Sequence, residues 1–219
     1  MLNPIIFDFL TELEKNNNRE WFADNKKFYL EANEAVKSFV VDMIEGVSLF
    51  DNDIGGIEPK QCMFRIYRDV RFSKDKSPYK LNFGGFLVKN GRNSGNAGYY
   101  LHLQKEACFI AGGIHMPPAP ELKKIRKEIF YNIEEFRSII NEPNVLKYFK
   151  EISGEKLLRP PKDFPADFLD IELLKYKSYG LLESVTEKKC LSKDFYGFLM
   201  KRFELMKPMV KFINRGLSM

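Results

Sequence analysis

Three features of the sequence predict an α+β fold, with a central glycine-rich, mostly antiparallel sheet packed by N-terminal and C-terminal helices. Apolar residues recur at three- and four-residue steps over the first fifty positions and again over about Lys193–Ile213. Between positions 60 and 116 that spacing gives way to short aromatic and β-branched runs, with seven glycines from Gly84 to Gly113. At 219 residues, 44% apolar and 30% charged, the chain can bury a substantial core. It reads as one α+β domain, 1–219: helical over 1–55, sheet-rich over 60–116, and helical with one possible strand over 117–219.

The apolar cluster Ile5, Ile6, Phe9, Leu10 and Leu13 predicts a first helix that stops at Asn16-Asn17-Asn18. Arg19–Phe50 then reads as an amphipathic helix or a broken pair, closed by Gly55-Gly56 and Pro59. Candidate strands are Cys62–Arg68, Asn82–Lys89, Gly98–Gln104 and Ala107–His115. Only Lys105-Glu106 separates the last two, which predicts a tight hairpin. Its alternation puts Tyr99, Leu101, Leu103, Cys108 and Ile110 on a core face, and Tyr100, His102, Gln104, Ala107 and Phe109 on a mixed one. Pro117, Pro118 and Pro120 lead into helices over Glu121–Tyr131, Ile133–Ile140 and Val145–Ile152. Ser153–Ala166 reads as a proline-rich loop, Lys177–Val185 as one more strand, and Lys193–Ile213 as a last helix that Pro208 should kink.

No window approaches the ~18 uninterrupted apolar residues of a spanning helix, and Met1–Leu10 lacks a basic region or cleavage site. The expected location is therefore the cytoplasm, with no membrane partner. Cys62, Cys108 and Cys190 are odd in number and form no C-x-x-C pair, so each is expected to serve as a buried small hydrophobe.

Chemistry concentrates in Lys60–Lys80. This window holds Lys60, Arg65, Arg68, Arg71, Lys74, Lys76 and Lys80 against Asp69 and Asp75 only, and so carries the +5 excess of the whole chain. As a strand it would turn Phe64 and Ile66 to the core, and Arg65 and Tyr67 the other way, with Arg68, Asp69 and Arg71 at its end and Ser73–Pro78 as a turn. Guanidinium forks fit two oxygens of a phosphate or carboxylate, and Lys74, Lys76 and Lys80 add point charges. Asp69 would hold one arginine in place, while Tyr79 would bond a ligand oxygen or stack on a ring. The competing reading is a solvated, salt-bridged edge strand whose lysines discourage aggregation.

His102 projects from the mixed face, where an acid–base or anion-contacting role competes with that of a structural histidine bonded to a neighbouring carboxylate. His115 reads as a turn residue. Two histidines without paired acids give no metal site. The paired glycines, Gly84-Gly85 and Gly112-Gly113, fit either the close approach of a helix, backbone or ligand, or a bulge. Walker A, G-x-G-x-x-G, G-x-S-x-G and H-E-x-x-H patterns are absent, so no cofactor can be assigned.

The run F-R-I-Y-R-D-V-R-F-S-K-D-K-S-P-Y-K at Phe64–Lys80 is joined by N-N-R-E-W-F at Asn17–Phe22, G-Y-Y-L-H-L at Gly98–Leu103, A-G-G-I-H-M-P-P from Ala111 and L-K-K-I-R-K-E-I ending at Ile129. Together they resemble the bacterial and fungal conserved hypothetical family catalogued as domain of unknown function 2461. The resemblance spans most of the chain. It implies a signature made of Arg65, Arg68, Asp69, Arg71, Phe72, Ser73, Lys74, Asp75, Lys76, Pro78, Tyr79 and Lys80, and brings no catalytic residue with it.

The leading functional expectation is a soluble domain that binds an anionic, phosphorylated or carboxylated small molecule. Arg65, Arg68, Arg71, Lys74, Lys76 and Lys80 supply the charge, and Tyr67, Tyr79, Tyr100 and His102 shape the pocket. If the protein is an enzyme, His102 or Asp69 would move protons while the cations stabilise developing negative charge. One alternative is a nucleic-acid-binding module that uses the same cations, with the tyrosines and Phe72 stacking on bases. Another is a protein-interaction domain that docks through Met200, Met206 and Met209. The sequence leaves the oligomeric state open.

Overall fold

A computed structural model describes residues 1–219. The fold is α+β: four antiparallel strands in the order β1-β2-β3-β4 carry helices on one face. Helix α1 (Ile5–Lys15) buries Ile6, Phe9, Leu10 and Leu13 and ends at the asparagine run. There Asn18 caps α2 (Arg19–Asp24), its side chain accepting the Trp21 N–H at 2.9 Å. The segment after Arg19 is a broken pair, since α2 stops at Asn25 and α3 runs over Lys26–Ser48. A 3₁₀ turn (Asn52–Ile54) and the single-turn α4 (Pro59–Cys62) come next.

The strands are β1 (Asn82–Leu87), β2 (Gly98–Gln104), β3 (Phe109–Ile114) and β4 (Tyr179–Ser184), the last formed within the predicted Lys177–Val185. Between β3 and β4 lie α5 (Ala119–Tyr131), α6 (Ile133–Ile140), α7 (Pro143–Phe149) and α8 (Ile171–Leu174); α9 (Glu187–Cys190) and α10 (Phe195–Leu217) complete the chain. The β2–β3 register pairs His102 with Phe109 and Leu101 with Ile110. In the turn, Glu106 takes the left-handed conformation (φ 58°) in which glycine is usual, and the Ala107 N–H reaches the Gln104 carbonyl at 3.1 Å.

The register sorts side chains as the alternation predicts. Tyr99, Leu101, Leu103, Cys108 and Ile110 are buried on the core face. Three helices pack there: α1 through Phe9 against Phe83 (6.0 Å between ring centroids), α3 through Val40 against Gly85, and α10 through Met206 against Gly112. A Cβ on Gly112 would lie 2.6 Å from the Met206 Cβ, so this glycine serves helix approach. Met206 and Met209 are fully buried in that core, and all three cysteines are buried and free. No helix is long and apolar enough to cross a membrane.

Two buried carboxylates tie helices together. Asp51 accepts the Tyr99 hydroxyl at 2.8 Å and the Lys211 ammonium at 2.5 Å, joining the 3₁₀ turn to β2 and α10. Glu128 of α5 accepts from Arg215 at 2.6 Å, in the space left by Gly216. Gly197, exposed within α10, has open space where a Cβ would project. Gly197→Ala is expected to stabilise the protein by about 0.5 kcal/mol, read as a shift of the urea midpoint with unchanged slope.

The structure corrects one predicted strand. Cys62 closes a helical turn, because Pro59 starts α4 and the Glu58–Gln61 capping box fixes it. Beyond Cys62 the backbone makes only isolated bridges, Met63 with Gly85 and Tyr67 with Tyr79. Without regular pairing the simple alternation fails. Ile66 is buried, but Phe64 is 38% exposed and lies on the outer face of the sheet, not in the core.

Candidate functional site

The basic segment folds into an arm at the edge of β1. The Phe64 N–H reaches the Gly84 carbonyl at 3.3 Å, after which the chain leaves the sheet and pairs with itself. Arg68 N–H donates to the Pro78 carbonyl at 2.9 Å and Lys80 N–H to the Ile66 carbonyl at 2.8 Å, setting Tyr67 opposite Tyr79. The foot of the arm is fastened by Asn17, whose side-chain amide donates to the Tyr79 carbonyl at 3.0 Å and accepts its N–H at 3.1 Å. Tyr79 is buried and stacked on Phe22, with ring centroids 3.9 Å apart.

Most charges of the arm are spent within it. Arg68 pairs with Asp75 and also donates to the Ser77 carbonyl at 3.1 Å. Hydrogen bonds from the Ser77 hydroxyl and N–H, then from Arg68, hold the Asp75 carboxyl down to about 2. Asp69 grips Arg71 at 2.9 and 2.7 Å, so its carboxyl is held low and the Arg71 guanidinium is pushed up. Lys76 donates to the Val70 carbonyl at 3.0 Å. Lys74 stands exposed at the tip beside Phe72, which is 96% exposed. Among the predicted site residues, then, Arg68, Asp69, Arg71 and Lys76 build the arm, and Tyr67 and Tyr79 pack at its foot.

Arg65, Lys80, Tyr100 and His102 are brought to a different place. Lys80, Asn82, Gly84 and Phe86 succeed one another at two-residue steps, and the last three lie on the sheet's outer face opposite Gln104, His102 and Tyr100. The Lys80 ammonium sits 5.7 Å from the centre of the Phe64 ring and the Arg92 guanidinium 6.0 Å from it. Arg92 is placed by the β1–β2 loop, which clamps onto α4: its N–H donates to the Gln61 carbonyl at 3.0 Å and its guanidinium to the Lys60 carbonyl at 2.6 Å. Neither Lys80, Arg92 nor Arg65 forms an ion pair, whereas Lys60, Arg68 and Arg71 around them each hold a carboxylate. Burial, followed by the charges of Arg65 and Arg92, pushes the Lys80 ammonium below its ordinary value.

Phe64 meets Tyr100 edge to face at 6.1 Å, and Tyr100 lies against Gly84, where a Cβ would come within 2.6 Å of its hydroxyl oxygen. That hydroxyl is 2.9 Å from His102 Nδ1, and His102 Nε2 is 3.0 Å from Gln104 Oε1. With an amide oxygen at Nε2, the neutral ring carries its proton there and accepts the Tyr100 O–H at Nδ1. Burial pushes the Tyr100 hydroxyl up to about 12, so it stays a phenol. Burial also lowers the His102 pKa, outweighing the opposite effect of the Gln104 hydrogen bond. The unfolded chain thus binds more protons than the folded one between the folded and ordinary histidine values. Stability is expected to fall as pH drops through that window, and in His102→Gln this contribution to the slope should vanish, as measured by urea melts across the acid limb.

An open depression of about 240 Å³ lies between the arm and β1, with Lys80 on its wall together with Asn17, Arg68, Asp75, Ser77 and Asn82. The model of the conserved hypothetical protein family DUF2461 matches residues 5–212, nearly the whole chain. The chain belongs to the DUF2461 family. No curated protein and no solved structure matched it. In this DUF2461 chain, sequence reasoning missed two members of the cationic cluster's setting, Arg92 and the outward-facing Phe64. A signal for Arg92 exists: no acidic residue occurs between Asp75 and Glu106, so a cation in that stretch has no local partner.

Proposed function

We propose that the protein binds a phosphorylated or carboxylated small ligand where Lys80, Arg92 and Arg65 meet beside Phe64. The observation that carries this reading is selective pairing. Arg68, Arg71 and Lys76 of the arm are matched to carboxylates or a carbonyl, whereas Lys80, Arg92 and Arg65 form no ion pair; the Asp69 that feels Arg65 is already held by Arg71, and burial followed by the charges of Arg65 and Arg92 depresses Lys80. Like charges held in one place destabilise the free protein, and an anion relieves them. Arg92 offers a planar fork to two ligand oxygens, although one of its amino groups is held by Lys60; Lys80 offers a point charge. Tyr100 adjoins the cluster through Phe64, with its hydroxyl held on His102.

The pairing within the arm favours a small ligand over an extended nucleic-acid track, which needs free cations in series. Calorimetric titration of inorganic phosphate and of citrate at constant ionic strength tests the reading. Saturable binding that weakens at least ten-fold in Arg92→Met and in Arg65→Met is expected. Heat indistinguishable from a chloride control, or equal affinity in both variants, would remove the site.

A further inference from the structure

We infer that the ligand of this site carries a planar ring beside its anionic group, and that its chemical class is a mononucleotide. The inference rests on the anion-binding reading above and adds to it the surface next to the cations. On the outer face of the sheet, the cross-strand row Gly84, His102 and Phe109 runs beside the row Phe86, Tyr100 and Ala111. Phe64 extends the first of these past Gly84 at the sheet's edge. Helices α1, α3 and α10 pack on the opposite face, and Phe86, Tyr100, His102 and Phe109 are all left half-buried. Their rings form one connected surface: Phe86 lies 6.3 Å from Tyr100, Tyr100 5.6 Å from Phe109, and Phe109 stacks on His102 at 4.5 Å.

This surface begins where the cations end. A phosphate held at Lys80 and Arg92 is one ring contact, Phe64 to Tyr100, from the aromatic rows. A sugar phosphate would leave those rings wet; a ligand with a planar ring would cover them, as bases do when they stack on aromatic side chains. The next row on this face pairs Asn82 with Gln104; the Gln104 oxygen already accepts from His102, which leaves its NH2 and the Asn82 amide for the edge of a base. Three cations confined to one cluster suit a single phosphate group and not a polymer backbone, which needs cations in series.

Titration of inorganic phosphate, ribose 5-phosphate, AMP, UMP and a short single-stranded oligonucleotide at matched ionic strength tests this. AMP or UMP is expected to bind at least ten-fold more tightly than ribose 5-phosphate, and Phe86→Leu should erase most of that gain while phosphate affinity is kept. Equal affinity for ribose 5-phosphate and both nucleotides would overturn the planar-ring inference and leave the anion site standing. No binding by any of the five would overturn both. An oligonucleotide that binds more tightly than either mononucleotide, with a steep fall on added salt, would overturn the mononucleotide assignment in favour of a polymer.

Discussion

Gly113→Ala is expected to destabilise the protein by about 3 kcal/mol or more. Gly113 lies in β3 opposite Gly180 of β4, with φ 141°. L side chains rarely adopt that conformation. A Cβ there would overlap the Tyr179 carbonyl oxygen and fall 2.5 Å from the Gly180 Cα, and these are backbone atoms that cannot rotate away. The β3–β4 ladder would have to open. At this chain length the loss corresponds to roughly 6–12 °C in Tm. Gly95→Ala provides the control: its φ is also positive, at 79°, but no atom lies near the added methyl, so only the conformational cost of about 1 kcal/mol applies. Similar losses in the two variants would show that the close approach of β4 is not what requires glycine.

Phosphate is expected to raise Tm in the native sequence by at least about twice as much as in Lys80→Met or Arg92→Met. At a concentration one hundred times the Kd the stabilisation is about 2.7 kcal/mol, or roughly 5–10 °C. Without phosphate Lys80→Met should be no less stable than the native protein at low ionic strength, because it removes one member of a repelling trio, whereas Arg92→Met also loses the hydrogen bond that clamps its loop to the Lys60 carbonyl. This pairing of outcomes separates a ligand site from a structural ion network: disrupting a network destabilises the free protein, whereas relieving an empty cationic cluster does not. Arg71→Met gives the contrast, since Arg71 is held by Asp69 and lies at the exposed end of the arm. Its phosphate response should match that of the native chain.

Much of the architecture is legible in the letters. The faces of β2 and β3 derive from strict alternation at Tyr99, Leu101 and Leu103 against Tyr100, His102 and Gln104, since a period of two leaves one register that buries the apolar set. The family is legible as well, because its signature lies in one contiguous run. The arm is less so. Pro59 begins a helical turn that takes Cys62 out of the strand, and Asn17, distant in sequence, supplies the two hydrogen bonds that turn Tyr79 inward. A charge count over a window cannot tell Arg68, held by Asp75, from Lys80, which has no acid to hold. Partner choice is a three-dimensional property, set here by the bend after Ile66 and by a loop that delivers Arg92 from outside the basic run.

Whether the cationic cluster is a ligand site can be read from the state of the Lys80 ammonium. Its titration is accessible to NMR of the side-chain carbons adjacent to the nitrogen, first in the free protein and then with saturating phosphate. In the free protein the pKa should lie below the ordinary lysine value, rise in Arg65→Met and Arg92→Met, and rise again when phosphate binds. A free-state value at or above the ordinary one, unmoved by either substitution or by phosphate, would mean that the three cations neither share one field nor receive an anion.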